Sequence, residues 1–330
     1  MTLLPPAELA LSEAEAERVF GQMLDDDTGE EDTARFLSDL SDRGETAAEI
    51  AGAARAMRER MIPIAGREGA IDVCGTGGDG QHSLNVSTAT ALVVAACDVP
   101  VAKHGNRAAS SKAGAADTLE ALGLNLDAAA RTAENTLAEI GICFLFAQNH
   151  HPAMKHIMPI RKKLGKRTIF NLLGPLCNPA GVKRQLVGIA SPDLVPIYAD
   201  AIRRLGTEKS FVVSGEEGLD ELSLADGNSV AEVREDGVSM RRVYCHQAGL
   251  AHAPLSAIKG DDAAYNAAAL MRLLEGERSA YRDAVLLNAA GALMVAGEVE
   301  SWADGAEEAA EAIDKGLALQ LLKCWIDAAK

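Results

Sequence analysis

Residues 75–88 and 103–112 have the types and spacings with which a protein takes hold of phosphate. The first segment runs Gly75-Thr76-Gly77-Gly78-Asp79-Gly80-Gln81-His82-Ser83-Leu84-Asn85-Val86-Ser87-Thr88. Its small residues leave backbone N–H groups free to close on anionic oxygens. The second, Lys103-His104-Gly105-Asn106-Arg107-Ala108-Ala109-Ser110-Ser111-Lys112, brings the cations Lys103, Arg107 and Lys112 together with the hydroxyls of Ser110 and Ser111. A polyphosphate or a phosphorylated sugar is the ligand such loops suit. A third segment, Ser214-Gly215-Glu216-Glu217-Gly218-Leu219-Asp220-Glu221, follows a short apolar run that reads as a strand. Its carboxylates would repel a polyphosphate unless a divalent cation lay between them, so magnesium is the expected bridge. Beyond the second loop, His150, His151 and His156 crowd together, but they do not share a helical face and Pro152 interrupts them, which argues against a metal site. Arg161, shortly after, is suited to gripping a carboxylate through two parallel hydrogen bonds.

Simpler readings of these loops fit less well. Gly75, Gly77 and Gly80 satisfy Gly-x-Gly-x-x-Gly, the dinucleotide-binding spacing, yet the following helix cannot be placed before about Ser87 or Thr88. Asp79 would also stand unpaired inside the pyrophosphate cradle. A P-loop is excluded because no Gly-Lys-Ser/Thr follows. Ser87 or Thr88 can serve as a plain helix N-cap, which is compatible with binding an anion at the same helix end.

The chain of 330 residues carries a formal charge of −16, so an anionic ligand must be held by a focused site and bulk attraction to nucleic acid is disfavoured. Its six cysteines are scattered without a Cys-x-x-Cys pair, the pattern of reduced thiols in the cytoplasm. Neither a secretory leader nor a membrane span is legible in it.

The elements that must position these residues follow from periodicity and punctuation. Up to about Pro63 the pattern is helical: Ser12–Glu15 and Thr46–Glu49 are capping boxes, and a further helix is expected over 30–40. A strand at 71–74, a helix at 88–97 and a strand at 99–103 then form a βαβ unit. Helices at 115–122 and 128–139, a strand at 142–146 and a helix at 151–164 continue it. Strands at 187–189 and 210–213 flank a helix at 194–205. A β excursion at 229–245 turns at Glu235-Asp236-Gly237, and helices at 263–274, 281–296 and 302–329 close the chain.

In order and spacing, Gly75 to Asp79, Asn85 to Thr88, Lys103 to Lys112, His151 to Arg161, Arg167 to Pro179 and Leu219 to Glu221 resemble the anthranilate phosphoribosyltransferases. The resemblance implies transfer of the phosphoribosyl group of 5-phosphoribosyl 1-pyrophosphate to anthranilate, with magnesium, in tryptophan biosynthesis. It implies a small N-terminal helical domain (1–67, with an inserted segment near 165–185) on a large α/β domain (68–330) with a mainly parallel sheet, working as a homodimer. Gly75, Gly78, Asp79, Ser83, Asn85, Val86, Ser87 and Thr88 would meet the donor at its pyrophosphate end. Lys103, His104, Gly105, Asn106, Arg107, Ala108, Ala109, Ser110 and Ser111 would enclose the phosphoribosyl part, and Ala115 stands where many members place a serine. Gly75, Asn106 and Arg161 would contact anthranilate, and Ser87, Asp220 and Glu221 would hold magnesium. The aryl amine needs placement more than deprotonation, so neither His104 nor His151 is assigned as a general base. A pyrimidine nucleoside phosphorylase, or a non-catalytic paralogue that binds nucleic acid, would share this architecture.

Overall fold

A computed structural model describes residues 3–108 and 112–330. Ala109, Ser110 and Ser111, expected on the donor, lie outside the described residues.

Both capping boxes form. The Ser12 and Thr46 hydroxyls accept from the backbones of Glu15 and Glu49, which reach back to the caps, and so start α1 (Glu13–Leu24) and α3 (Ala47–Glu59). Between them α2 (Glu30–Arg43) buries Phe36, Leu37 and Leu40. Glu49 does more than cap: fully buried, it also accepts from Leu11 N and pairs with Arg43, tying the entry of α1 to the end of α2.

The chain then alternates through β1 (Ile71–Gly75), α4 (Val86–Ala95), β2 (Val101–Gly105), α5 (Ala115–Ala121), α6 (Leu126–Arg131), α7 (Ala133–Glu139) and β3 (Ile142–Phe146). Next come α8 (Ala147–His150), α9 (Met154–Leu164), α10 (Phe170–Leu173), β4 (Arg184–Gly188), α11 (Val195–Arg204) and β5 (Lys209–Gly215). The hairpin of β6 (Asn228–Arg234) and β7 (Gly237–Val243) and the helices α12 (Ala263–Leu274), α13 (Ala280–Ala296), α14 (Trp302–Asp314) and α15 (Leu317–Ala328) complete it.

All seven strands form one sheet in the order β3-β2-β1-β4-β5-β6-β7, parallel through β5 and antiparallel beyond it. Alternate strand residues feed two large apolar cores, and Ala102, Cys143 and Leu145 a smaller third one. Ile71, Val73, Leu186 and Phe211 pack against α4, α13 and the last helices, whereas Cys74, Val187 and Val212 join α1–α3 and α9–α11. The chain moves outward from β1 to β2 and β3, then returns to β4 on the other side of β1. That reversal opens a crevice at the carboxyl ends of β1 and β4, where Gly75 pairs with Gly188.

Four expectations are corrected. The helix expected at 88–97 begins at Val86, so Ser87 and Thr88 lie inside its first turn; the N-cap position is Asn85, whose side chain makes no cap bond. The segment 128–139 is two short helices meeting at Thr132. The strand expected at 99–103 lies at Val101–Gly105, which adds His104 and Gly105 to the sheet. The run 302–329 is broken by Gly316, whose φ of 72° ends one helix before the next begins.

Candidate active site

The first glycine loop leaves β1 at Gly75 and is shaped by left-handed backbone at Gly77, Gly78 and Gly80 (φ 69°, 76° and 71°). It closes against the segment after β5. Gly77 N donates to Asp220 Oδ2 at 2.7 Å, and Thr76 N to Gly188 O at 2.9 Å. A Cβ at Gly188 would fall on the Asp220 carbonyl, and one at Gly75 on its carboxylate. Asp79 uses Oδ1 to accept from Gln81 N at 3.1 Å. Burial pushes the Asp220 carboxyl well above its usual range, and the neighbouring carboxylates of Glu221 and Asp79 push it further. Burial also raises Glu221, against the pull of Lys103, and Glu221 Oε1 accepts from Ser87 N at 3.1 Å. These buried and partly buried acids are donors suited to a hard cation. Among the described residues no three such side chains converge as a ready-made metal cage, so water and ligand oxygens would complete the shell of a bound ion. The neighbouring acids are otherwise occupied: Glu216 pairs with Arg242, and Glu217 with Ser223.

The second loop divides its charge. Lys103 lies inside the sheet, 2% exposed, with Nζ donating to Val73 O at 2.7 Å and to Ser87 Oγ at 3.4 Å. It stands between two acids, Glu221 ahead and Asp72 behind, and lowers both against their burial. Asp72 is fully buried in β1; its Oδ1 accepts from His104 N at 3.1 Å and its Oδ2 from Asn178 Nδ2 at 2.8 Å. Neither Asp72 nor Asn178 was singled out from the sequence, although an acid inside the short apolar strand Ile71-Asp72-Val73-Cys74 is a signal that could have found the first. Arg107 and Lys112 instead point outward, Arg107 to Asp117 at 2.8 Å and to Glu120, and Lys112 to Asp261 at 2.6 Å.

Several expected contacts are engaged within the protein. Asn85 Oδ1 accepts from Thr118 Oγ1 at 2.6 Å and from Asn266 Nδ2 at 2.9 Å. Asn106 Oδ1 accepts from Arg107 N at 2.8 Å, and Ala108 N donates to Asp117 Oδ2 at 3.0 Å. Val86 is buried, Thr88 Oγ1 is buried without a partner among the described residues, and Ser83 bridges by its backbone to Lys259. Gly105 has no room for a side chain between Phe144 and Ala115, so Ala115 packs on its backbone.

His104 and His151 form a buried pair, Nε2 to Nε2 at 3.3 Å, with His104 Nδ1 3.0 Å from Gly174 O. Burial, then the neighbouring His151, takes His104 down to about 3; burial and His150 take His151 down to about 4. Both are neutral at physiological pH. A carbonyl only accepts, which assigns the His104 proton to Nδ1, while the Cys177 backbone raises His151 against its burial. The other histidines turn elsewhere, His150 Nδ1 to Ile62 O at 2.8 Å and His156 towards Asp26. Arg161, on α9, has Nη2 on Asn171 Oδ1 at 3.3 Å and Nη1 on Met158 Sδ at 3.7 Å. It has no carboxylate partner among the described residues, and burial lowers its pKa. Direct contacts thus unite Gly75, Asp220, Glu221, Ser87 and Lys103, whereas the polar contacts of Arg161 stay within 158–171.

Residues 8–61 match the helical bundle domain of a glycosyl transferase family, and residues 67–319 match that family's α/β domain. The anthranilate phosphoribosyltransferase of Novosphingobium aromaticivorans is 70% identical, over 99% of each chain. Among solved structures, that of Thermus thermophilus superposes with a TM-score of 0.93 at 44% identity, covering 98% of this chain and 97% of its own. The Saccharomyces cerevisiae enzyme in complex with PRPP and Mg superposes with a TM-score of 0.88 at 29% identity, covering 97% of this chain and 93% of its own. With this likeness running through the helical start, the sheet and the loops at its carboxyl edge, the chain belongs to the anthranilate phosphoribosyltransferases.

Proposed function

We propose a division of labour among these residues for moving the phosphoribosyl group of 5-phosphoribosyl 1-pyrophosphate onto the amino group of anthranilate. The observation that carries it is the mutual influence of the partly buried Asp79 and Asp220 and the buried Glu221, beside a glycine loop and faced by Lys103. Asp220 and Glu221, with Ser87, would hold magnesium, which when bound supplies charge neutralisation for the departing pyrophosphate. The loop N–H groups of Gly78 to Gly80 and the start of α4 receive the same oxygens, adding fixed dipoles that need no reorganisation. Ser83, Asn85, Val86 and Thr88 shape that wall. Lys103 presents its ammonium group from within β2, while Gly105 to Ser111 would take the ribose phosphate.

Arg161 would take the anthranilate carboxylate, with Gly75 and Asn106 lining the approach of the ring. The Arg161 guanidinium is half-buried and lacks an anion of its own, which supports this role. The aryl amine is a weak base and a sufficient nucleophile once placed, so the chain must orient it rather than deprotonate it. His104 and His151, both neutral, fit a site where a ribosyl carbon gains positive character, since neither would repel it. Ala115 supplies no hydroxyl to the donor. We place the functional boundary at residues 67 and 68, with 165–185 moving with the helical part, and the working form as a cytoplasmic homodimer.

Loss of anthranilate fluorescence on adding phosphoribosyl pyrophosphate and magnesium tests the reaction. The expected result is a loss that requires all three components. A folded protein that leaves the fluorescence unchanged overturns the reading.

A further inference from the structure

At the opposite, amino ends of β4 and β5 lies a cavity of ≈ 230 Å3. Its wall brings together the end of α3, the turn at 174–182 and the end of α11, and much of it is apolar: Met61, Leu176, Val182, Ile202 and Leu205. Set into that wall is Arg58. Its Nε donates to Leu176 O at 2.7 Å; among the described residues its other nitrogens make no hydrogen bond and no carboxylate pairs with it. Among the described residues, the only other cation on the wall is Lys183, an exposed residue whose Nζ reaches Gly206 O at 3.3 Å. Among the described residues no Asp or Glu lines the cavity, although acids outnumber bases in the chain 48 to 32.

Arg58 is half-buried, with no anion paired to it among the described residues, and burial lowers its pKa. Among the described residues, Arg58 and Arg161 are the two arginines that burial lowers. We propose that this cavity binds a small monocarboxylate with an apolar tail, its carboxylate received by the Arg58 guanidinium and its tail by the apolar wall. The planar fork of arginine matches a carboxylate edge-on. A phosphate dianion would find too few donors here and would leave the hydrocarbon wall unused. The volume lies below the 300–1,000 Å3 typical of pockets for drug-sized ligands, which limits the tail to a short chain or a single ring. Asn178 also lines the cavity while donating to Asp72 Oδ2 and Ala102 O, so an occupant touches a residue that is bonded to β1 and β2. This site stands independently of the roles proposed for the carboxyl edge.

Hexanoate titrated against the full chain, saturated with anthranilate and followed by ligand-observed NMR, tests the proposal, with hexylamine as the charge-reversed control. Binding is expected with a Kd below ~10 mM, while hexylamine does not bind. Arg58→Gln is expected to weaken hexanoate by ~10-fold or more. Val182→Phe, which fills the apolar wall and keeps the guanidinium, should weaken it comparably, and Arg161→Gln should leave it unchanged. The proposal is overturned by the absence of binding at that concentration, by equal binding of hexylamine, by indifference to both cavity variants, or by loss in Arg161→Gln.

Discussion

The two loops at the carboxyl edge of the sheet hold charge in different ways. The acids against which the first closes and the lysine of the second are fixed from within: Asp220 is pinned by Gly77 N and by the backbone fit at Gly188, and Lys103 by Val73 O. Arg107 and Lys112 are on the surface in exchangeable pairs with Asp117, Glu120 and Asp261. Fixed charges cost folding energy and save reorganisation when the ligand arrives. Paired surface charges cost little and must be won from their present partners. The difference locates where catalysis and where capture should be lost on mutation.

Breaking the fixed set should do the most damage. Lys103→Met leaves Asp72 and Glu221 facing an uncompensated interior, so kcat/KM should fall by ~10³-fold, with about 3 kcal/mol lost from unfolding stability. Steady-state kinetics and denaturant melts check both; a variant no worse than Arg107→Ala would abolish the distinction between the loops. Asp220→Asn should lower turnover by ~100-fold at limiting magnesium, with partial recovery at excess. Full turnover at limiting magnesium would remove Asp220 from the cation site. Arg161→Gln should raise the KM for anthranilate by ~30-fold and leave that for the donor unchanged, since only one substrate offers it a carboxylate. Equal changes in both would mean a structural role.

The buried histidines sharpen the same contrast through stability. Their folded values, about 3 for His104 and about 4 for His151, lie below the ordinary 6.5, so the unfolded chain binds the extra protons. Their contribution is fully present above pH 6.5 and is lost as pH falls towards 4. Melting temperature followed over that window should decline, and His151→Gln should flatten the decline; an unchanged slope would place the acid-sensitive groups elsewhere. Least of all, Arg107→Ala should raise the donor KM only ~3-fold, an effect that fades at high salt. A large, salt-independent loss would show that Arg107 abandons its surface partners for a catalytic position.

Much of this was legible in the sequence because the signals are local. The two capping boxes, the glycine loop and the hairpin turning at 235–237 each depend on neighbours a few residues apart, and each forms where expected. What stayed hidden depends on distance. Asn178 meets Asp72 across 106 positions, and nothing beside either residue announces the other. Glu216 and Glu217 resemble Asp220 and Glu221 in the chain, and only the fold shows that Arg242 and Ser223 claim the first two. Arg107 reads as a phosphate ligand until α5 presents Asp117 and Glu120 to it. At 302–329 apolar periodicity ran straight through Gly316, and the left-handed turn there interrupts the helix without interrupting the pattern.

Gly188 carries no functional group, yet the backbone of Asp220 lies where its side chain would be. In the gene, a glycine codon becomes an alanine codon by a single-base change. Such a lesion would erase no charge, donor or nucleophile, and an inventory of chemical groups would score it as silent. It would nonetheless force β4 and the acidic segment apart at the floor of the crevice. Inherited loss of activity in this chain should therefore be sought at Gly188 as readily as at the acids it accommodates.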